Sequence, residues 1–280
     1  HKGEGLVSEV FDKEKIKKLS GNAAIGHVRY STAGGGGIMN VQPFLFRTLD
    51  GMMGIAHNGN IVNANSLKKE LEENGSIFNS TSDTEVLGHL IKRETGRFVD
   101  RICKSLEKID GAFAFVILVE DALYVARDRY GLRPLSMGRL PSGGYMFSSE
   151  TCALDIAGAE FVRDVEPGEI IRVKDGIIKS KKYTETLPIC NKLCAMEYIY
   201  FSRPDSNLDG INVHTARKTC GKTLFEEAPV EADLVIGVPD SGIPSAIGYS
   251  EASGIPYEPI LIKNRYMSRS FIVPSQEMRE

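Results

Sequence analysis

Short apolar runs separated by turn-forming residues dominate about the first 185 positions, and this pattern is typical of short β-strands. Asp175-Gly176 lies between two of these runs, and an Asp-Gly pair in that position predicts a hairpin. We predict strands over residues 24–30, 53–57, 113–119, 123–127, 144–148, 169–173 and 177–179.

Helical spacing of apolar residues occurs in the same part of the chain. It predicts helices over residues 66–74, 82–92 and 99–109. The first stops before Gly75, a residue suited to the position after a helix. The second opens with the capping-box pattern Ser-Asp-Thr-Glu, from Ser82 to Glu85. One face of the second helix is apolar: Val86, Leu87, Leu90 and Ile91. Strands with inserted helices predict a layered α+β domain over residues 1–188.

The pattern changes after Pro188. Residues 234–238 form a continuous apolar run, residues 243–252 read as a helix, and residues 257–262 read as another strand. A strand, a helix and a second strand in this order predict a βαβ unit with a parallel sheet. We therefore predict a second, α/β domain that starts at residue 189 and occupies residues 189–280.

Composition and charge narrow the class of protein. The 280 residues carry 34 Lys and Arg against 37 Asp and Glu, and 42% of them are hydrophobic. This content can fill a core, which argues against intrinsic disorder, and the slight acidity argues against a nucleic-acid partner. The longest apolar run, residues 112–119, is too short to span a bilayer, so we expect no membrane partner.

Cysteine usage and the chain ends lead to two further expectations. The five cysteines are odd in number and scattered, which predicts reduced thiols and a cytoplasmic protein. The sequence opens at His1 without a methionine and ends in a polar stretch, so we expect a fragment truncated at both ends.

Three motifs in the first domain could carry chemistry. Arg29 at a predicted strand end suits a carboxylate, or it is simply solvated there. Asn58 and Gly59 could donate two hydrogen bonds to one oxyanion from a tight turn, or form an ordinary Asn-Gly turn. Asp83 could hold an ammonium group, or merely favour the start of a helix.

The second domain offers a different set. Asp240, Ser241 and Gly242 follow an apolar strand and precede a helix, a place that suits phosphate but is equally typical of a capped helix. Lys263 follows the next strand and could cover an anion or face solvent. Cys190 and Cys194 are close in sequence, but two thiols alone rarely bind a metal.

Several of these motifs occur together in an order that resembles the class II glutamine amidotransferases. The segments are residues 27–32, 56–60, 82–85, 126–128, 131–135 and 148–150. Residues 194–206, 237–241 and 263–276 further resemble the amidophosphoribosyltransferase family. The resemblance implies an αββα sandwich of the N-terminal-nucleophile type, followed by the start of an α/β phosphoribosyltransferase domain with a parallel sheet.

The resemblance also implies roles for individual residues. Arg29 would hold the glutamine α-carboxylate and Asp83 its α-ammonium, with Thr32 among the substrate-binding residues. Asn58 and Gly59 would form the oxyanion hole.

For the second site, Asp240 and Lys263 would bind phosphoribosyl pyrophosphate, with Ser241 near Mg²⁺. Residues 263–276 would form a loop that closes over the substrate. Cys194 matches a ligand of the 4Fe–4S cluster found in one branch of the family.

The implied reaction is the first step of de novo purine synthesis. Glutamine is hydrolysed, and its ammonia displaces pyrophosphate from phosphoribosyl pyrophosphate to give 5-phosphoribosylamine. The family suggests a homo-oligomer, either a dimer or a tetramer.

The family's N-terminal nucleophilic cysteine and three further cluster cysteines have no counterpart in the sequence, so we expect this fragment alone to be inactive. Two alternatives stay open: another class II amidotransferase, or a catalytically silent glutamine-binding module.

Overall fold

The computed structural model describes residues 1–29, 37–48 and 51–264. It divides into two compact units: the first is His1–Ser149 with Ala153–Leu193, and the second is Glu150–Cys152 with the chain from Cys194 onward. The first unit ends five residues beyond the predicted domain border at 188. The assignment of separate functions to the two domains stays a prediction.

The chain up to Leu193 contains antiparallel strands and short helices. The strands are β1 (Phe44–Thr48), β2 (Gly51–Ile61), β3 (Gly111–Val119), β4 (Ala122–Arg127), β5 (Ser136–Arg139), β6 (Tyr145–Ser148), β7 (Glu160–Asp164), β8 (Glu169–Lys174) and β9 (Ile177–Lys182). The helices are α1 (Val7–Val10), α2 (Lys13–Lys18), α3 (Ala64–Glu73), α4 (Thr84–Arg93), α5 (Phe98–Glu107) and α6 (Thr151–Ile156).

Two sheets form the middle of the first unit. The larger has the strand order β1-β2-β3-β4-β8-β9 and the smaller the order β6-β5-β7. One face of the larger sheet packs against α3, α4 and α5 in a core that includes Phe115, Leu87 and Ile102. Its other face packs against the smaller sheet through residues such as Val125 and Met137.

A fourth layer completes the sandwich. In α6, Leu154 is fully buried and lies over β5, where a Cβ added to Gly138 would come within 3.0 Å of it. The order helix, sheet, sheet, helix confirms the predicted αββα fold. Near-continuous apolar residues in its central strand β3 supply both faces of the larger sheet, which accounts for its burial between two layers.

The hairpin prediction is confirmed in detail. Asp175 and Gly176 have φ of 50° and 73°, as a two-residue turn with both central residues left-handed requires, and Lys174 pairs with Ile177. β9 is the last strand of the larger sheet, and three of its lysines are exposed: Lys179, Lys181 and Lys182.

Most predicted strands are confirmed, but the one at residues 24–30 is wrong where the structure describes it. Residues 24–29 form no ladder; instead, their side chains contact β2. His27 Nε2 lies 3.0 Å from the carbonyl oxygen of His57, and Ile25 lies against Gly54. Tyr30 lies outside the described residues.

The three predicted helices are confirmed as α3, α4 and α5, and the apolar face of α4 is buried. The capping box at its start is wrong. Asp83 occupies the N-cap, and Glu85 accepts hydrogen bonds from the Asn79 and Ser80 amides, at 2.9 and 2.8 Å, instead of reaching back to Ser82. The preceding loop therefore competes successfully for the Glu85 carboxylate.

The second unit is mainly helical in its described residues. A π-helix spans Glu197–Phe201, a short hairpin joins β10 (Asn207–Leu208) to β11 (Ile211–Asn212), and the long helices are α7 (Val213–Glu227) and α8 (Ile243–Ser253). Gly221 and Gly248 let α7 and α8 touch: a Cβ on either would lie 1.9 Å from a carbonyl oxygen of the other helix. The predicted helix at 243–252 is confirmed as α8.

The predicted βαβ unit is present with the expected direction but little pairing. Val235 and Tyr257 form a parallel bridge, in which the Val235 amide donates to the Pro256 carbonyl at 2.9 Å. The rest of segments 234–238 and 257–262 forms no ladder within the described residues. Two short strands without further neighbours are marginal, which accounts for the limited pairing.

Within the part of the chain that the structure describes, no helix is both long and apolar enough to cross a bilayer.

Candidate active site

Asn58 and Gly59 lie inside β2, so the predicted tight turn at these residues is wrong. Asn58 pairs with Ala114 and Gly59 with Phe113 of β3. Gly59 has a φ of 147°, and a Cβ there would lie 2.0 Å from the Ala112 carbonyl oxygen. Only glycine fits this close approach of two strands. The Asn58 side-chain amide donates to Ser149 Oγ at 3.3 Å.

Asp83 connects the start of α4 to the end of β2. Its Oδ2 accepts a hydrogen bond from the Ile61 amide at 2.7 Å. The side chain keeps 26% of its surface exposed. From the described residues its other oxygen receives long hydroxyl contacts, at 3.5 Å from Ser82 and 3.4 Å from Thr84. A half-buried carboxylate with remaining acceptor capacity can bind a cation.

Arg29 is linked to the same region through Asn40. Its Nη1 donates to the Asn40 carbonyl at 3.2 Å. The buried Asn40 side chain exchanges two hydrogen bonds with Thr81, at 3.0 and 2.9 Å. Thr81 precedes Asp83 by two residues, so the structure ties a cationic and an anionic side chain to one loop. Thr32, the other predicted residue here, lies outside the described residues.

A buried histidine lies beneath these groups. His57 Nδ1 is 3.1 Å from Thr84 Oγ1, and its ring stacks on Phe115 with centroids 4.4 Å apart. Burial lowers the pKa of His57 to about 4, and the Asp83 carboxylate, 4.0 Å away, offsets this effect only in part. The imidazole is therefore neutral at physiological pH.

This neutral histidine predicts acid sensitivity of the fold. In the unfolded chain His57 binds a proton below its ordinary pKa of 6.5, whereas in the folded chain it binds one only below about pH 4. The free energy of unfolding therefore falls as the pH falls from 6.5 to about 4. We expect the free energy of unfolding to decrease by about 1.4 kcal/mol per pH unit from this group. Urea unfolding at pH 6.5 and pH 4.5 measures it. His57→Gln should flatten the slope, and an identical slope in both proteins would contradict the assignment.

In the second unit the structure brings two predicted residues together. Lys263 Nζ lies 3.1 Å from Asp240 Oδ2, and both side chains are exposed. Asp240 and Ser241 form the turn that leads into α8, with Gly242 at its N-cap. Residues 265–276 of the predicted closing loop lie outside the described residues.

The predicted metal ligands are not gathered into a cluster. Cys194 is half-buried and Cys190 exposed. Among the described residues no group of three His, Cys, Asp or Glu side chains could hold a metal ion. The assignments of Cys194 to an iron–sulfur cluster and of Ser241 to Mg²⁺ stay predictions.

Four polar residues of the site escaped the sequence reasoning: Asn40, Gln42, His57 and Thr84. All four are buried and hydrogen-bonded. The position of His57 directly before Asn58 could have marked it as part of the site. Nothing local marks Asn40 or Gln42, because Asn40 binds Thr81, 41 residues away, and Gln42 binds His57 and Thr84, 15 and 42 residues away.

Comparison with known proteins places the site in context. Residues 31–155 match the model of the glutamine amidotransferase domain. An amidophosphoribosyltransferase of Bacillus subtilis is 57% identical over the whole chain, and one of Staphylococcus aureus is 50% identical. The chain covers 59% and 56% of these two relatives, so it spans little more than half their length.

Two solved structures have the same fold. One is described as the allosteric regulatory enzyme of purine biosynthesis; it has a TM-score of 0.91 and 56% identity, over 99% of this chain and 59% of that one. The other is the glutamine phosphoribosylpyrophosphate amidotransferase of B. subtilis complexed with ADP and GMP, with a TM-score of 0.89 and 55% identity, over 98% of this chain and 59% of that one.

The first unit has the αββα fold, and residues 31–155 match the model of a glutamine amidotransferase domain. The alignment with the B. subtilis relative, 57% identical overall, extends through the second unit to the end of the chain. Over its whole length the chain is similar to amidophosphoribosyltransferases, which confirms the resemblance seen in its motifs.

Proposed function

We propose that this chain serves amidophosphoribosyl transfer, the first step of de novo purine synthesis. Glutamine would be hydrolysed to glutamate in the first unit, and the ammonia would react with phosphoribosyl pyrophosphate to give 5-phosphoribosylamine and pyrophosphate. The observation that carries the proposal is 57% identity to the B. subtilis enzyme over the whole chain. The substrates are those named for the similar glutamine phosphoribosylpyrophosphate amidotransferase of B. subtilis.

In the proposed glutamine site two side chains of opposite charge bind the amino-acid end of the substrate. Arg29 takes the α-carboxylate, since a guanidinium forms two parallel hydrogen bonds with a carboxylate. Asp83 takes the α-ammonium with the oxygen that is free of the Ile61 amide. Thr32 assists in substrate binding. The link through Asn40 and Thr81 supports this pairing, because it holds Arg29 to the loop that precedes Asp83.

Asn58 and Gly59 would form the oxyanion hole. The nucleophile implied by the resemblance is an N-terminal cysteine, whose thiolate attacks the side-chain carboxamide carbon while its own amine accepts the proton. Negative charge develops on the carboxamide oxygen, where the Asn58 amide and the Gly59 N–H donate hydrogen bonds. Ammonia leaves with the proton, and water then hydrolyses the thioester to glutamate.

The second site would bind the pyrophosphate end of phosphoribosyl pyrophosphate. At the turn before α8, backbone N–H groups at the start of the helix can bind an anion. Lys263 adds positive charge, with its Nζ 3.1 Å from Asp240. Asp240 and Ser241 provide oxygen atoms, which suit Mg²⁺. The Asp240 carboxylate and the Ser241 hydroxyl would suffice for Mg²⁺, because this ion keeps most of its contacts with water and substrate phosphates. When bound, Mg²⁺ would neutralise phosphate charge at this site.

A 4Fe–4S cluster does not fit the described residues. Such a cluster needs four thiolates, and these residues provide no group of three suitable side chains. Cys194 would supply one ligand at most. A cytoplasmic location, a homo-oligomer, and the absence of membrane and nucleic-acid partners belong to the same proposal.

The test is an assay of the full-length protein with glutamine, phosphoribosyl pyrophosphate and Mg²⁺. We expect glutamate and pyrophosphate to appear in equal amounts, and ammonium chloride to replace glutamine as nitrogen donor for pyrophosphate release. Glutamate release with a different acceptor would identify another class II amidotransferase. Glutamine binding without any turnover would favour a silent binding module.

A further inference from the structure

The side chain of Gln42 takes the place of a strand partner for β2. The β1–β2 ladder reaches Phe44 paired with Ile55, and the same register continued by two residues would pair Gln42 with His57. There the His57 amide donates to Gln42 Oε1 at 2.7 Å, and Gln42 Nε2 donates to the His57 carbonyl at 3.4 Å. A side-chain amide thus makes both hydrogen bonds that a neighbouring strand would make.

The same amide also reaches α4. Gln42 Nε2 lies 3.3 Å from Thr84 Oγ1, which also contacts the His57 ring at 3.1 Å. Gln42, His57 and Thr84 are only 7%, 4% and 0% exposed. Thr84 directly follows Asp83, and His57 directly precedes Asn58. One buried, hydrogen-bonded amide therefore connects the two elements that carry the proposed substrate and oxyanion groups, and such satisfied networks are rigid.

We propose that Gln42 is a positioning residue that fixes Asn58 and Gly59 relative to Asp83. The inference rests on the proposed glutaminase function. Among the described strands, β2 pairs beyond Ile55 with β3 alone. On its opposite side Gln42 binds both the amide and the carbonyl of His57, and the His27 ring contacts the carbonyl alone. Losing Gln42 lets the next two residues shift away from the place where the oxyanion develops. Gln42 acts through the His57 backbone and touches no reacting atom.

The test is Gln42→Met in the full-length protein, which keeps the size of the side chain and removes its hydrogen bonds. We expect kcat for glutamate release to fall by about 10- to 100-fold, because small misplacements of catalytic groups have effects of this size. The KM for glutamine and the ammonia-dependent reaction should change little. A change in KM with kcat preserved would overturn the proposal.

The matched control is Asn63→Leu. The Asn63 amide also bridges two backbone groups, donating to the Lys108 carbonyl at 2.9 Å and accepting from the Asp110 amide at 3.0 Å. It follows β2 and lies five residues beyond Asn58 in the chain. We expect Asn63→Leu to leave kcat for glutamate release unchanged. An equal loss of kcat in both variants would indicate a general structural effect and overturn the proposal.

A double-mutant cycle separates positioning from general damage. If Gln42 acts through the oxyanion donors, Gln42→Met should lower kcat for glutamate release by a much smaller factor in an Asn58→Ala background than in the unmodified protein. Equal losses in the two backgrounds would overturn the proposal. If Gln42→Met does not fold, Gln42→Glu, which removes the donor to the His57 carbonyl and keeps the size of the side chain, takes its place in the same cycle with the same expectations. An Asn58→Ala variant with normal glutamate release would instead overturn the oxyanion assignment, and with it the proposed function of the site.

Discussion

Replacing Asn58 by alanine is expected to lower kcat for glutamate release by about 10²- to 10³-fold, the size of effect that follows loss of one oxyanion donor. The KM for glutamine should change little, because the donor is needed only when negative charge develops on the substrate oxygen. Steady-state glutamate release by the full-length protein measures both constants. The ammonia-dependent release of pyrophosphate should be unaffected, since it does not use this site.

Asn60 provides the control for this prediction. It lies on the same strand, pairs with Ala112 of β3, and is exposed. Asn60→Ala should retain normal kcat and KM. If Asn58→Ala raised KM and left kcat intact, Asn58 would be a substrate-binding residue and the oxyanion would need another donor.

Replacing Arg29 by alanine is expected to reduce kcat/KM for glutamine by about 10²-fold, mostly through a higher KM. The reason is the loss of a charge-assisted pair with the α-carboxylate, for which a penalty of about 3 kcal/mol is typical. Arg29→Lys should recover part of the loss, because it keeps the charge but not the planar fork. Initial rates at varied glutamine concentration, with ammonia in a parallel assay, make the measurement.

The comparison variant is Arg47→Ala, which removes an exposed arginine from β1 of the same unit. It should leave both reactions unchanged. Equal losses of the glutamine-dependent and ammonia-dependent reactions in Arg29→Ala would mean that Arg29 supports the fold as a whole and does not bind the substrate.

Features with a local cause were predictable from sequence. The Asp175-Gly176 turn needs two left-handed residues in succession, and few residue pairs other than Asp-Gly supply them. The buried face of α4 follows from helical periodicity alone. The motif residues Arg29, Asn58, Gly59 and Asp83 all lie in the first unit, and their roles stay predictions.

Features with a distant cause were not predictable. Asn58-Gly59 looks like a turn, yet β2 continues through it because β3 pairs alongside and the Ala112 carbonyl leaves room only for glycine. Glu85 matches a capping box, yet its carboxylate accepts hydrogen bonds from the Asn79 and Ser80 amides instead. Gln42 carries no motif at all, since its importance comes from a register that only the folded sheet defines.

The exposed lysines of β9 have a consequence for association between molecules. An edge strand offers unpaired backbone groups to any extended segment that approaches it, which is how sheets grow into aggregates. A second strand docking along β9 would bring its backbone beside the exposed side chains of Lys179, Lys181 and Lys182, whose ammonium groups would lose water of hydration. This charge discourages strand addition at the β9 edge that the described residues form.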